Sequence, residues 1–364
     1  MARAPRILLA GGGTGGHVFP ALAIADELKK RLPIASFLFI GTRDKIEARV
    51  VPERGYAFDT IWISGFHRRL RFGNLLFPIK VAVAMIQSFF LIKKFKPDVV
   101  IGTGGYVCGP ILLAASLLGV KTVIHESNSY PGVTTRLLAH RVTMVITAFD
   151  ATQQWLKRTD NVVRIGTPVR EALGSIPREE AARRLKIDPN KKTVLVFGGS
   201  LGAASINNAM LCITGELQNE GIQVLWQTGA SDYERIARQT TVRSVSWLGA
   251  FIDRMEDAYA AADVVVCRAG ALTIAELTRL GKPAILIPYP RAAGDHQTIN
   301  AKVLLNAGAA KLIADSEVRE KLKDAITELL ADESARKHMA RASRALGTPH
   351  AGAAIAETIL KLIQ

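Results

Sequence analysis

The sequence predicts an α/β protein built as two doubly wound parallel sheets, and three observations predict it. The chain has 364 residues, about two domains at roughly 150 residues each. Short aliphatic or β-branched runs alternate with amphipathic stretches, the pattern of βα units feeding a parallel sheet. The pattern also restarts halfway. ILLAGGGTGG from Ile7 and VLVFGGSLGA from Val194 each set a hydrophobic strand before a glycine turn and a helix, as do VVIGTGG from Val99 and VVVCRAG from Val264.

Taken in order, the runs 7–9, 37–40, 99–101, 122–124 and 144–146 read as strands, and 20–31, 79–94 and 110–118 as helices between them. Gly166-Thr167-Pro168 and the charged segment 178–192 separate this half from the next. Strands follow at 194–197, 224–226, 242–247, 264–266, 284–287 and 311–313. The expected domains are therefore 1–167 and 168–347. A tail, 348–364, carries helical apolar spacing over 351–363 and is expected to pack back on the first domain. Two Rossmann-like domains facing a cleft would present the glycine turns there, because open α/β sheets bind ligands beyond the carboxyl ends of their strands.

Composition narrows the function. Hydrophobic residues at 49% and charged residues at 22% exclude a disordered chain. Lys plus Arg 47 against Asp plus Glu 32 gives +15, which calls for an anionic partner: nucleic acid, phosphorylated substrate or acidic membrane surface. Aromatics are only 6% and no zinc-finger, RRM-like or helix-turn-helix signature occurs, which argues against nucleic acid. Cys108, Cys212 and Cys267 are far apart and form no CxxC, so neither a disulfide framework nor a structural zinc site is expected. The first apolar run is too short for a signal peptide, and the uncharged window 99–120 is broken by Gly102, Gly104, Gly105, Gly109, Pro110 and Gly119. A cytosolic chain without a spanning helix is expected.

The chemistry concentrates at the glycine turns. Gly11 to Gly16 satisfies GxGxxG, whose backbone N–H groups can approach a phosphate at a helix N-terminus, or simply make a tight turn. The strand at 37–40 ends in Gly41-Thr42-Arg43 with no acidic residue for a ribose, which disfavours NAD. His17 follows the turn, placed either as a general base or as a structural hydrogen-bonding group. Gly198 to Gly202 is a second turn, with the Ser200 hydroxyl as an added donor. Arg268 to Glu276 is a third helix start. Its Thr273 lies in the first turn, and Glu276 suits paired ribose hydroxyls or balances the helix dipole. His125-Glu126-Ser127-Asn128 and Asp295 to Asn300 add polar clusters at strand ends. No Asp-x-Asp occurs, so a diphosphate leaving group would rest on amides, helix N-termini and hydroxyls, with Arg170 a candidate, in place of a carboxylate-held metal.

One segment joins charge to apolar bulk. Arg68, Arg69, Arg71 and Lys80 interleave with Phe66, Leu70, Phe72, Leu75, Leu76 and Phe77, which suits docking on anionic lipid or a basic segment packed internally.

The ordered set GGTGGHVFP from Gly12, GGYVCGP from Gly104, HESN from His125, GTPVR from Gly166, GGS from Gly198, RAGALTIAE from Arg268 and QTIN from Gln297 closely resembles the MurG family of N-acetylglucosaminyltransferases. The similarity runs from about residue 6 to about residue 345. The resemblance implies a GT-B fold and an inverting transfer of N-acetylglucosamine from UDP-N-acetylglucosamine to the C4 hydroxyl of undecaprenyl-diphosphate-linked N-acetylmuramoyl-pentapeptide, lipid I, giving lipid II. No cofactor or metal is implied. Peripheral attachment to the anionic inner leaflet, at the cytoplasmic face of the bacterial cell membrane, is implied, with cell-wall assembly proteins as candidate partners.

Position by position, the resemblance implies Thr14, Gly15 and Gly16 on donor or diphosphates, Asn128 and Gln297 on the sugar, and Arg170 and Ser200 by the diphosphate. It puts the Ile252 backbone on uracil, and Ala271, Leu272, Thr273, Ile274, Ala275 and Glu276 on phosphate and ribose. His17 takes the role of base, and Tyr106, His125 and Glu126 lie on the acceptor side. Leu201 and Ser127 stand where the family commonly has Gln, so each place loses an amide that could touch substrate. An epimerising or hydrolysing UDP-sugar enzyme on the same fold, and a non-catalytic nucleotide-sugar sensor, are the competing expectations.

Overall fold

The structure is a computed structural model describing residues 3–65, 76–170, 172–199, 202–240 and 245–363. The chain divides into two compact units, one formed by 1–169 with 350–364 and the other by 170–349.

The first unit runs β1 (Arg6–Gly11), α1 (Gly15–Arg31), β2 (Ser36–Gly41), α2 (Glu47–Glu53), β3 (Ala57–Thr60), α3 (Phe77–Phe95), β4 (Val99–Gly104), α4 (Cys108–Leu117), β5 (Lys121–Glu126), α5 (Val133–Leu138), β6 (Met144–Thr147) and β7 (Val162–Arg164). The strands form one seven-stranded sheet in the order β3-β2-β1-β4-β5-β6-β7, and every pairing is parallel. Parallel strands covered on both faces bury all their side chains. Ile7, Leu8, Leu9, Val99, Val100 and Ile101 are accordingly 0% exposed. β1 pairs Ile7 with Val99 and Leu9 with Ile101. The chain order reverses between β1 and β4, and that switch point is where an open α/β sheet holds its ligand.

The second unit repeats the plan with α6 (Arg178–Leu185), β8 (Thr193–Phe197), α7 (Ala204–Asn219), β9 (Gln223–Gln227), α8 (Ala230–Gln239), β10 (Trp247–Gly249), α9 (Met255–Ala261), β11 (Val264–Cys267), α10 (Ala271–Leu280), β12 (Ala284–Leu286), α11 (His296–Asn306), β13 (Lys311–Leu312), α12 (Val318–Ala331) and α13 (Glu333–Leu346). Its sheet order is β10-β9-β8-β11-β12-β13, so the switch point falls between β8 and β11. The last helix, α14 (Ala351–Ile363), belongs to the first unit. Ile355, Ala356 and Ile359 share one buried cluster with Val18, Leu22 and Ala25 of α1. The strand expected over 242–247 begins only at Trp247, and 241–244 lie outside the described residues.

Candidate active site

In the first unit the polar residues gather at the carboxyl ends of three adjacent strands, β1, β4 and β5. The turn after β1 needs glycine at its closest approaches: a Cβ on Gly105 would come within 2.3 Å of the Gly12 carbonyl oxygen. Gly13 has φ +88°, the left-handed region where side chains are strained. The two turns are tied together by the Gly12 N–H donating to the Gly104 carbonyl at 3.3 Å.

His17 is pinned at the switch point from two sides. Its Nδ1 lies 3.1 Å from the Thr103 carbonyl oxygen, and the Thr103 hydroxyl donates to the His17 carbonyl at 2.7 Å. A carbonyl can only accept, so Nδ1 carries the proton of the neutral ring, and the basic lone pair falls on Nε2. The ring also lies where a side chain at Gly104 would be, since a Cβ there would meet Nδ1 at 2.3 Å. Thr14 and Gly16 are exposed, and Gly15 and His17 half-buried, at the start of α1. Tyr106 is exposed, with its ring over Gly65.

His125 and Glu126 act on the protein itself in this structure. His125 is 1% exposed and its Nε2 donates to the Gly166 carbonyl at 2.9 Å. Burial pulls its pKa below the ordinary histidine value, opposed by that hydrogen bond. The hydroxyl of Ser127 faces its Nδ1 at 3.4 Å. Glu126 accepts from the Asn128 N–H at 3.0 Å and Nδ2 at 3.2 Å, from the Gly132 N–H at 2.9 Å and from the Thr135 hydroxyl at 2.7 Å. Its carboxylate thereby shapes the loop that carries Asn128. Cys108, under the β4 turn, is 1% exposed, and burial pushes its thiol up to about 12.

In the second unit the candidate nucleotide residues again sit at strand carboxyl ends. Glu276, one turn into α10, is buried, and its Oε2 accepts from the Tyr259 hydroxyl at 2.9 Å. Its Oε1 lies 3.6 Å from Arg170, whose guanidinium also approaches Glu256 at 4.0 Å. Burial raises the Glu276 carboxyl above its usual range and Arg170 works against it. The Ile252 N–H donates to Gln227 Oε1 at 2.9 Å, while Gln227 Nε2 donates to the Gly199 carbonyl at 3.0 Å. One buried amide thus ties the turn after β8 to the segment after β10. Ala271, Leu272, Thr273, Ile274 and Ala275 form the first turns of α10, behind Gly270. Gln297 accepts from the Tyr289 N–H at 2.9 Å through Oε1. Arg268 is absorbed by structure, donating to Ser205, to the Ile287 and Pro288 carbonyls and to Asp315.

Several sequence-predicted residues, Ser200, Phe66, Arg68, Arg69, Leu70, Arg71, Phe72 and Leu75, lie outside the described residues. Leu76 is exposed, Phe77 half-buried, and Lys80 donates to Ser64 at 2.9 Å with its ammonium 5.6 Å from the Trp62 ring centroid. The structure adds an apolar stripe that sequence reading missed: Ile79, Ile86 and Phe90 are 53%, 57% and 66% exposed on α3, with Lys93 and Lys94 in its last turn. Among the described residues no helix is long and apolar enough to cross a membrane. Glu47, Gln227 and Tyr259 were also missed, and only their spatial partners reveal them.

Two doubly wound parallel sheets with glycine turns at their switch points define a nucleotide-binding architecture, and the comparisons give its class. Residues 7–147 match the glycosyltransferase family 28 N-terminal domain and residues 193–357 the glycosyltransferase family 28 C-terminal domain. The chain belongs to glycosyltransferase family 28. Within it, the chain is similar over nearly its whole length to MurG enzymes. A Flavobacterium psychrophilum protein named UDP-N-acetylglucosamine--N-acetylmuramyl-(pentapeptide) pyrophosphoryl-undecaprenol N-acetylglucosamine transferase is 40% identical over 364 residues, 99% of this chain and 98% of that one. The protein of the same name from Chlorobaculum tepidum is 44% identical over 362 residues, 98% of this chain and 99% of that one. The crystal structure of Acinetobacter baumannii MurG superposes with a TM-score of 0.75 at 30% identity, covering 98% and 99% of the two chains. A UDP-N-acetylglucosamine 2-epimerase superposes at 0.69 with 16% identity over 99% of this chain and 96% of that one, a likeness of fold alone.

Proposed function

We propose that this protein transfers N-acetylglucosamine from UDP-N-acetylglucosamine to the C4 hydroxyl of lipid I, with inversion, releasing UDP and lipid II. The observation that carries this reading is the 40% identity to a transferase of that name across 99% of the chain. His17 Nε2 takes the proton of the C4 hydroxyl as its oxygen bonds to the anomeric carbon. The bond from that carbon to the UDP oxygen breaks, and its electron pair leaves with UDP. Displacement from the face opposite UDP turns the α-linked donor into a β-linked product. Glycine-turn amides, the start of α10 and Arg170 support the leaving diphosphate, a metal-independent form of charge stabilisation. Asn128 and Gln297 orient the sugar, Glu276 the ribose and the Ile252 carbonyl the base, while Tyr106 lies on the acceptor side.

The test is UDP release with and without a soluble lipid I analogue, in EDTA. Release that needs the acceptor and survives EDTA is expected. Release without acceptor would instead favour a UDP-sugar hydrolase or epimerase, and tight binding without turnover a sensor.

The stripe on α3, continuous in sequence with the basic segment 66–80, supports attachment to the anionic cytoplasmic face of the cell membrane. Inserting an apolar side chain of this size contributes about 1.5–3 kcal/mol, and lysines at the rim add attraction to anionic headgroups. Ile86→Ser with Phe90→Ser is therefore expected to weaken association with phosphatidylglycerol vesicles at least roughly tenfold, with turnover of a soluble acceptor retained. Undiminished vesicle association would place the contact elsewhere.

A further inference from the structure

Glu47, the first residue of α2, is 0% exposed. An ionised carboxylate is costly to bury unless its oxygens are satisfied. Among the described residues no Lys or Arg pairs with it; three donors do the work instead. The Gly13 N–H donates to Oε2 at 3.0 Å, and the Thr42 N–H and hydroxyl donate to Oε1 at 3.1 and 2.8 Å. The side chain fills a slot opened by two glycines: a Cβ on Gly12 would meet Oε1 at 2.4 Å, and one on Gly41 would meet Cγ at 2.5 Å.

Gly13 is the centre of the turn after β1, and Glu47 draws its N–H inward. Four residues on, Thr103 grips His17 at both ring and backbone. The segment between them is thus held at both ends, one end from the start of α2 and the other from the end of β4. We propose that Glu47 is a positioning residue for sugar transfer: by fixing Gly13 it sets the path of the turn and, through it, the direction in which His17 presents Nε2. The proposal rests on the transferase reading above. It also predicts that Gln will not serve in place of Glu. Gln fills the same slot, but its NH₂ must face either the Gly13 or the Thr42 N–H, donor against donor.

Glu47→Gln is expected to lower kcat roughly tenfold to hundredfold, since misplacing a reacting group by about 1 Å costs that much, with a smaller change in KM for UDP-N-acetylglucosamine, whose assigned contacts at Thr14 to Gly16 share the turn. On a His17→Ala background the same substitution is expected to add almost nothing, because residues acting through one another are not additive. A full effect on that background, or an unchanged kcat beside a lowered Tm, overturns the proposal in favour of simple structural support. A second readout needs no activity: amide exchange across 12–18 is expected to quicken in Glu47→Gln while the second unit is unaffected. Unchanged exchange there overturns the clamp. A wild type that transfers no sugar to acceptor sinks the transferase reading instead, and leaves the exchange result to decide the clamp.

Discussion

His17→Ala is expected to lower kcat for sugar transfer by roughly 10²–10⁴-fold, the usual contribution of a positioned general base, and to leave UDP affinity essentially unchanged. The separation follows from where the groups lie. The residues assigned to uracil and ribose, with Arg170 by the diphosphate, belong to the second unit, whereas His17 is held in the first by Thr103. A sugar hydroxyl is a poor nucleophile until its proton has somewhere to go, and the Thr103 carbonyl, by fixing the proton on Nδ1, keeps Nε2 basic. Removing the ring also empties the space beside Gly104, so a modest drop in Tm should accompany the loss. His17→Gln separates packing from proton transfer. Gln refills much of that space and can still donate to the Thr103 carbonyl, but it is no base near pH 7. It should recover stability without turnover. A His17→Ala enzyme with kcat close to wild type would remove His17 from the chemistry, and recovery of kcat in His17→Gln would reduce it to a positioning group.

The division between what sequence could and could not show follows sequence separation. The glycine turns announce themselves because strand, turn and helix start are contiguous, so Gly11 to His17 and Arg268 to Glu276 were legible as units. The strands of the sheet centres were legible too, being aliphatic runs buried on both faces. β3 and β7 were not: AFDT and VVR are short edge strands whose sequence carries little periodicity. Glu47 was invisible because its partner Gly13 is 34 positions away, and Gln227 because Ile252 is 25 away. Each looks like an ordinary polar residue near the edge of an element. Conversely, His125 and Glu126 stood out in sequence as a polar pair at a strand end. Their hydrogen bonds run to Gly166, Gly132 and Thr135, and chemistry-bearing residue types alone do not distinguish a group aimed at substrate from one that shapes the loop beside it. The stripe on α3 escaped for a related reason: 79–94 reads as an amphipathic helix, but periodicity does not say which apolar face the sheet will take.

Glu276→Ala is expected to raise KM for the donor roughly tenfold to hundredfold and to leave KM for the acceptor nearly unchanged. A hydrogen bond to an ionised group contributes about 1.5–3 kcal/mol, and 1.4 kcal/mol is a factor of ten in affinity. The carboxylate is oriented before any donor arrives. Tyr259 donates to Oε2 at 2.9 Å, and Arg170 lies 3.6 Å from Oε1. These partners leave lone pairs for ribose hydroxyls and work against burial, which raises the carboxyl above its usual range. Alanine removes the proposed acceptor for the ribose, strands the Tyr259 hydroxyl in the core and takes one carboxylate from beside Arg170. Tyr259→Phe keeps the carboxylate and loses only its orienting bond, so its KM should rise less. The decisive comparison uses a donor lacking the ribose 2′ hydroxyl. Wild type should discriminate against it, and Glu276→Ala should not, because the group that reads the hydroxyl is gone. A variant that weakens donor binding yet keeps the full preference for ribose would show that Glu276 serves the fold of α10 and its neighbours, and that the ribose is read by another residue.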